Sequence, residues 1–248
     1  MATKESVQDE VERLRARLDE QSRLAEAKER QLERYASDLR ETFKAERART
    51  EQLQTSYVAT VRALTNAVEA RDAYTGKHAE RVAAYGLELA RQIHPELADD
   101  PQVEFGFLLH DVGKVAVPDG ILHKPDHLLD EERALMRLHP VVGYEILQGI
   151  EFLAEAAQIV RQHHERWDGG GYPDGLSGEE ITLAARIFSV VDTLDAMTTD
   201  RPYRAAGSIA QARSEIAATA GSQFDPAVVA QLGEIPDETL ERIRTEVA

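Results

Sequence analysis

Three features of this chain predict an all-α protein. No segment alternates apolar and polar residues with period two over a useful length. Apolar positions recur instead at the three- and four-residue spacing of a helix face, and no Gly or Pro occurs before Gly76. The chain's 248 residues suffice for one well-packed domain and an appendage.

The stretch before Gly76 is rich in Glu, Arg, Ala, Leu and Gln and reads as one long helix, about 100 Å if unbroken at ~1.5 Å per residue. Val7, Val11, Leu14, Leu18, Ala25, Leu32, Tyr35 and Leu39 fit one heptad frame, which Gln21 and Lys28 interrupt. From Phe43 a second frame runs through Leu53, Tyr57 and Leu64, offset as in a stutter. The seam favours a parallel coiled coil that joins two copies; a solvated single helix or a helical hairpin is the competing form. Val58, Val61, Leu64 and Val68 mark entry into a globular domain, so the boundary is set at 58, with a signalling helix over 1–58 and a domain over 59–248.

Thr75-Gly76 breaks the first helix, and His78 to His94 forms the next, with Val82, Tyr85, Leu89 and Ile93 on one stripe. Val103 to Asp111 is a strongly apolar third helix. Val115 to Leu129 carries turn signals at Pro118-Asp119-Gly120 and Lys124-Pro125-Asp126. Asp130 caps a helix to Leu138, His139-Pro140 opens another to Gly149, and Phe152 to Arg166 follows. Asp168 to Gly175, with three consecutive glycines, is a loop. Helices over Leu183–Thr198, Ser208–Ala220, Pro226–Leu232 and Asp237–Val247 complete the chain.

Composition narrows the chemistry. With no cysteine, disulfides, thiolate metal sites and cysteine nucleophiles are excluded, leaving His, Asp and Glu as the strong metal ligands. The net charge of −16 is unevenly spread: 12 Lys and Arg face 13 Asp and Glu in residues 1–58, but 17 face 32 in residues 59–248. So negative a domain repels nucleic acid polymers and anionic membranes, and an anionic substrate would need bound cations to reverse the field locally. No apolar run approaches the ~20 residues of a membrane span and the N-terminus has no apolar signal core, so a cytoplasmic location is the expectation.

Eight histidines are present, and five stand out: His78 at a helix start, His110 beside Asp111, His139 before a proline, and the adjacent His163 and His164. A single histidine at a helix end is most often a cap. Five of them, together with Asp192 following four apolar residues on a helix, call for a cation, because a carboxylate there is costly to bury unless paired or metal-bound. Imidazole and carboxylate without a soft ligand suit iron, manganese, zinc or nickel, and more than four ligands imply more than one ion. Two ions ~3.5–4 Å apart are a standard arrangement for attacking phosphate esters. Lys114, four residues after His110, is placed to meet an anion.

His78, His110-Asp111 and Asp192 together resemble the metal-binding pattern of the HD phosphohydrolase superfamily. The segments His110-Asp111-Val112-Gly113-Lys114, His163-His164-Glu165-Arg166-Trp167-Asp168-Gly169-Gly170-Gly171-Tyr172-Pro173 and Asp192-Thr193-Leu194-Asp195-Ala196, with Arg201-Pro202-Tyr203-Arg204, resemble its HD-GYP branch. The resemblance runs from about Ala70 to Leu232 and leaves residues 1–58 uncovered. It implies a helical HD-domain bundle and a bacterial phosphodiesterase that opens cyclic di-GMP to linear pGpG. Carried over residue by residue, it implies one divalent transition metal on His78, His110, Asp111 and Asp192, and a second on His139, His163 and His164. Asp111 would bridge the two, and a metal-activated hydroxide would be the nucleophile. Iron or manganese is favoured, with zinc or nickel as alternatives. Lys114, Arg201 and Arg204 correspond to cations that meet the substrate. Tyr172 corresponds to the GYP feature, used near the substrate and as a docking point for GGDEF-type diguanylate cyclase partners.

Two departures qualify the expectation. Tyr74 stands where some members place a Glu that holds a third metal, so a two-metal site is expected, with linear pGpG as the product and conversion on to GMP left open. His123 and His127 lie where the family more often has other residues, and with His94 they read as surface groups. The competing functions are an HD hydrolase acting on another nucleotide, against which the GYP loop and the Arg201 to Arg204 segment argue, and an inactive signalling scaffold, against which the full ligand set argues.

Overall fold

The computed structural model describes residues 4–71, 77–200 and 205–247. Helix α1 spans Lys4–Glu69, and the chain divides into two compact units, over 1–57 and 58–248. Along the first unit Leu14, Leu18, Leu32, Tyr35 and Leu39 are all exposed, so the heptad positions face solvent. Tyr74 and the Thr75-Gly76 break lie outside the described residues.

The second unit is a helical bundle, and among its described residues only two isolated bridges have β character, Asp168 with Ser177 and Ala220 with Phe224. The last turns of α1 contribute Val61 and Thr65 to the core, while Leu64, expected inside, is exposed. The face entering the domain is therefore one position round from the heptad frame. Next come α2 (His78–Ile93), α3 (Pro95–Ala98) and α4 (Pro101–Leu108). Asp100 caps α4 by accepting from Gln102 N, with Pro101 at the position where a missing N–H matters least.

Helix α4 stops three residues before the expected Asp111. His110 lies in a turn, and a 3-10 segment over Val112–Ala116 follows where a loop was expected. Then come α5 (Asp119–Leu122), α6 (Asp130–Met136) and α7 (His139–Leu147). Asp130 is the first residue of α6 rather than its cap; the Glu132 carboxylate instead reaches back to Leu129 N at 2.8 Å. Helix α8 covers Ala154–Gln162, shorter than expected, so His163 and His164 sit just past its C-terminal end. Helices α9 (Leu183–Thr198), α10 (Ile209–Ala218), α11 (Pro226–Glu234) and α12 (Asp237–Glu246) follow.

Helix α9 runs through the core. Its Ile187, Phe188, Val190, Val191 and Leu194 are essentially inaccessible, and Phe188 meets Phe107 of α4 at 5.5 Å between ring centroids. Burying a side chain of that size contributes about 1.5–3 kcal/mol. The packing fixes α2, α4, α8 and α9 side by side, and the residues of the site extend from their ends.

Candidate active site

The histidines converge because several helices end or begin at one place. His110 follows α4, His139 opens α7, His163 and His164 follow α8, and His78 opens α2. The turn after α4 is pressed onto α7 at Gly113, where a Cβ would collide with the His139 carbonyl and with Gly143 N. A residue with a side chain there would push Asp111 and Lys114 away from His139, which explains a glycine within the His110 to Lys114 motif.

One hydrogen-bond pattern repeats. The Nδ1 of His110 lies 2.9 Å from the Phe107 carbonyl, that of His139 lies 2.8 Å from Met136 O, and that of His163 lies 2.6 Å from Val160 O. A carbonyl only accepts, so Nδ1 carries the proton in each ring and Nε2 keeps its lone pair, the tautomer that a metal ligand needs. Ligand atoms of His139, His163 and His164 lie within 4.8 Å of one another. The two Nε2 atoms of His139 and His163 face each other at 3.1 Å with both protons on the far sides. Two lone pairs so close repel unless a cation lies between them, so this donor set fits a divalent ion.

Electrostatics reinforce the arrangement. Burial, then the neighbouring rings, hold His163 well below its ordinary pKa; burial likewise depresses His139 and brings His164 to about 4. These three imidazoles are neutral at pH 7. Asp111 stands between them and the other end of the cluster: Oδ1 is 3.4 Å from His139 Nε2, while Oδ2 is 3.1 Å from His110 Nε2 and 2.8 Å from Lys114 Nζ. Burial would raise its pKa, but Lys114 and His110 outweigh that and keep it an ionised carboxylate.

At the far end His78 Nε2 lies 3.3 Å from Asp192 Oδ1, and the His78 ring meets the His110 ring edge-on at 5.4 Å. Asp192 is partly exposed. The fully buried acid on α9 is Asp195, one turn later, which sequence reasoning quoted without assigning a role. Asp195 accepts from His78 Nδ1 at 2.7 Å and from Arg81 Nε and Nη2 at 2.7 and 3.0 Å. The cation that pairs with an acid on α9 is Arg81, and it belongs to Asp195 rather than to Asp192. The available signal was the i,i+3 spacing of His78 with Arg81 and of Asp192 with Asp195 on two helices that pack together.

The loop after the His pair is organised by Glu165, a second buried acid that sequence reasoning passed over. It accepts from the backbone N–H groups of Asp174, Gly175 and Leu176 at 2.7–3.1 Å. Gly171 packs against Glu165 and Arg166 backbone too closely to admit a Cβ. The result presents Tyr172 stacked on His164, 4.8 Å between centroids and 25° between planes. Arg201 and Arg204 lie outside the described residues. His94, His123 and His127 are exposed, as expected of surface groups.

A family model described as the HD domain matches residues 62–228. The chain belongs to the HD domain family. Its motifs are those of the HD-GYP branch, and curated relatives agree. It is 41% identical over 172 residues to a protein named cyclic di-GMP phosphodiesterase response regulator RpfG from Xanthomonas campestris, covering 68% of this chain and 46% of that one. Against a cyclic di-GMP phosphodiesterase of Pseudomonas aeruginosa it is 45% identical, covering 63% and 38%. A Vibrio cholerae protein named 3′3′-cGAMP-specific phosphodiesterase 2 is 41% identical, with 71% and 34% covered. The chain thus spans less than half the length of each of these relatives. The crystal structure of a cyclic GMP-AMP phosphodiesterase from V. cholerae shares the fold, with a TM-score of 0.53 at 22% identity over 74% of this HD domain chain and 53% of that one. No described helix is long and apolar enough to cross a membrane.

Proposed function

We propose that this chain is a metal-dependent phosphodiesterase that opens one phosphodiester of cyclic di-GMP to give linear pGpG. The observation that carries this reading is Asp111, whose two carboxylate oxygens face different histidines, His110 and His139, at the centre of the cluster. His78, His110, Asp111 and Asp192 would hold one divalent cation, iron or manganese by preference, and His139, His163 and His164 with Asp111 a second. Such ions supply Lewis acidity toward a phosphoryl oxygen and lower the pKa of water.

The chain's own residues bind and orient the substrate. Lys114, held beside Asp111, donates to a phosphate oxygen and offsets the acidity of the domain. Tyr172 and its stapled loop wall one side of the site, and Arg201 and Arg204 carry the resemblance's role of meeting phosphate or guanine. Asp195 and Arg81 hold the His78 ring in place. The exposed apolar seam of α1 supports a parallel homodimer, and the GYP loop supports a docking role toward a GGDEF-type cyclase. The reaction is placed in the cytoplasm.

The relatives named for 3′3′-cGAMP support a second substrate reading, and one experiment separates the two. Purified protein is assayed for metal content and, by nucleotide chromatography, for turnover of cyclic di-GMP and of 3′3′-cGAMP in competition. Close to two transition-metal ions per chain with preferential conversion of cyclic di-GMP to pGpG is the expected result. Full metal occupancy with cyclic di-GMP left intact would overturn the substrate assignment. Light scattering of the full chain against one starting near Tyr57 tests the dimer, and two monomers would remove the coiled coil.

A further inference from the structure

Arg137 stands apart from the other arginines near the site. Arg81, Arg161, Arg166 and Arg186 each close on a carboxylate, with N···O distances of 2.7 to 2.8 Å. Arg137 pairs with no carboxylate among the described residues. Its guanidinium instead lies over the Tyr172 ring, 4.9 Å from the centroid, and that ring stacks on His164. It is exposed, at the C-terminal end of α6 and two residues before His139. A cation is thus held one aromatic ring beyond the histidine trio, with its charge unspent, in a domain with 17 basic against 32 acidic residues. In so acidic a setting an arginine without a carboxylate partner is conspicuous, and the aromatic face orients it without neutralising it.

We propose that Arg137, seated on Tyr172, is a second anion site that takes the phosphate of the dinucleotide that is not being cut. The inference rests on the phosphodiesterase reading above and adds a residue to it. A cyclic dinucleotide has two phosphates; with one at the Asp111 cluster beside Lys114, the other needs a donor outside the cluster. A planar guanidinium can grip two phosphate oxygens at once. Such a contact favours substrates with two phosphates over those with one, a selection that the cluster alone does not make.

The test compares ligands with two phosphates and with one on the metal-loaded full chain. Calorimetry measures binding of pGpG and of GMP to the wild type, Arg137→Gln and Arg137→Lys, with metal content read on each preparation. Arg137→Gln is expected to weaken pGpG on the order of tenfold more than GMP, with Arg137→Lys in between and metal content at the wild-type level. In turnover, Arg137→Gln should raise KM for cyclic di-GMP by a similar factor with a smaller effect on kcat. Equal weakening of both ligands, or unchanged pGpG binding, would overturn the proposal. If the wild type left cyclic di-GMP uncut, the phosphodiesterase reading would fall on its own, and the pGpG against GMP comparison would still decide the role of Arg137.

Discussion

The two ends of the histidine cluster are built on opposite principles. His139 and His163 are buried with the half-buried His164 beside them, all three are kept neutral, and two of the three are oriented by carbonyls three residues back in their own turns. His78 is oriented by carboxylates from another helix. Burial alone would depress it, but hydrogen bonds to Asp192 and Asp195 dominate and lift it from 6.5 to about 10. The trio as it stands offers lone pairs to a cation, whereas the His78 ring is held protonated between two carboxylates. A cation at the His78 end must displace that proton, so its affinity should rise with pH more steeply than that of the trio.

Asp111 is where the two ends join, and removing it should have the largest effect. Asp111→Ala takes away a carboxylate that faces both His110 and His139 and that pairs with Lys114. Loss of both ions and of phosphodiesterase activity is expected, read by metal analysis beside nucleotide chromatography. Retention of one ion would show that the trio holds its cation independently and that the cluster is two separate sites.

Asp195→Asn should separate the ends. It keeps the shape of the side chain but removes the charge that Arg81 and His78 share. Loss of such a supporting partner typically lowers metal affinity by about 10–100-fold. The loss should fall on one ion of two, leaving the trio loaded. Metal titration followed by the absorption of substituted cobalt resolves the two steps; equal weakening of both would place Asp195 in the general packing of the core instead.

The trio was legible in the sequence because its residues announce their chemistry: adjacent histidines and a His-Pro helix start in a chain without cysteine leave few other readings. Helices such as α9 were legible to the residue, since a wide apolar face forces the period. What stayed hidden depended on tertiary approach. Which of Asp192 and Asp195 is buried is decided by Arg81 arriving from α2, and the charge of Arg137 matters only because the loop stapled by Glu165 brings Tyr172 beneath it. The early ends of α4 and α8 were also misread. Apolar periodicity continues through Leu109 and up to the His pair, yet the backbone leaves the helix there, which is what lets the rings turn toward one another.

Removing the metals should expose the opposed protonation states as a stability maximum in pH. The His78 pKa is raised on folding, so its contribution is fully present below its unfolded value of 6.5 and is lost as pH climbs through about 10. His164 is depressed to about 4, so its contribution is present above 6.5 and is lost as pH falls through about 4. His139 and His163 act in the same direction as His164. Urea melts of the chelated protein from pH 4 to 10 should therefore show stability falling away on both sides of about 6.5. Asp195→Asn should shrink the alkaline limb, with Asp192 keeping part of it; an unchanged alkaline limb would mean that Asp195 does not help to hold the His78 proton.

The smallest effect is expected at a histidine outside the cluster. His123 is exposed and reaches two backbone carbonyls, Arg71 O at 2.6 Å and Asp119 O at 3.1 Å, bridging the turn after α1 to the short helix α5. Among the described residues no second imidazole faces it, so its work is to hold two segments together. His123→Ala should cost about 0.5–1.5 kcal/mol for the loss of the ring's hydrogen bonding to these carbonyls, and toward the low end because the contact is open to solvent. Metal content should not change. A lost ion in His123→Ala would mean that the turn after α1 helps to set the His78 end, and the division between ligand histidines and surface histidines would have to be redrawn there.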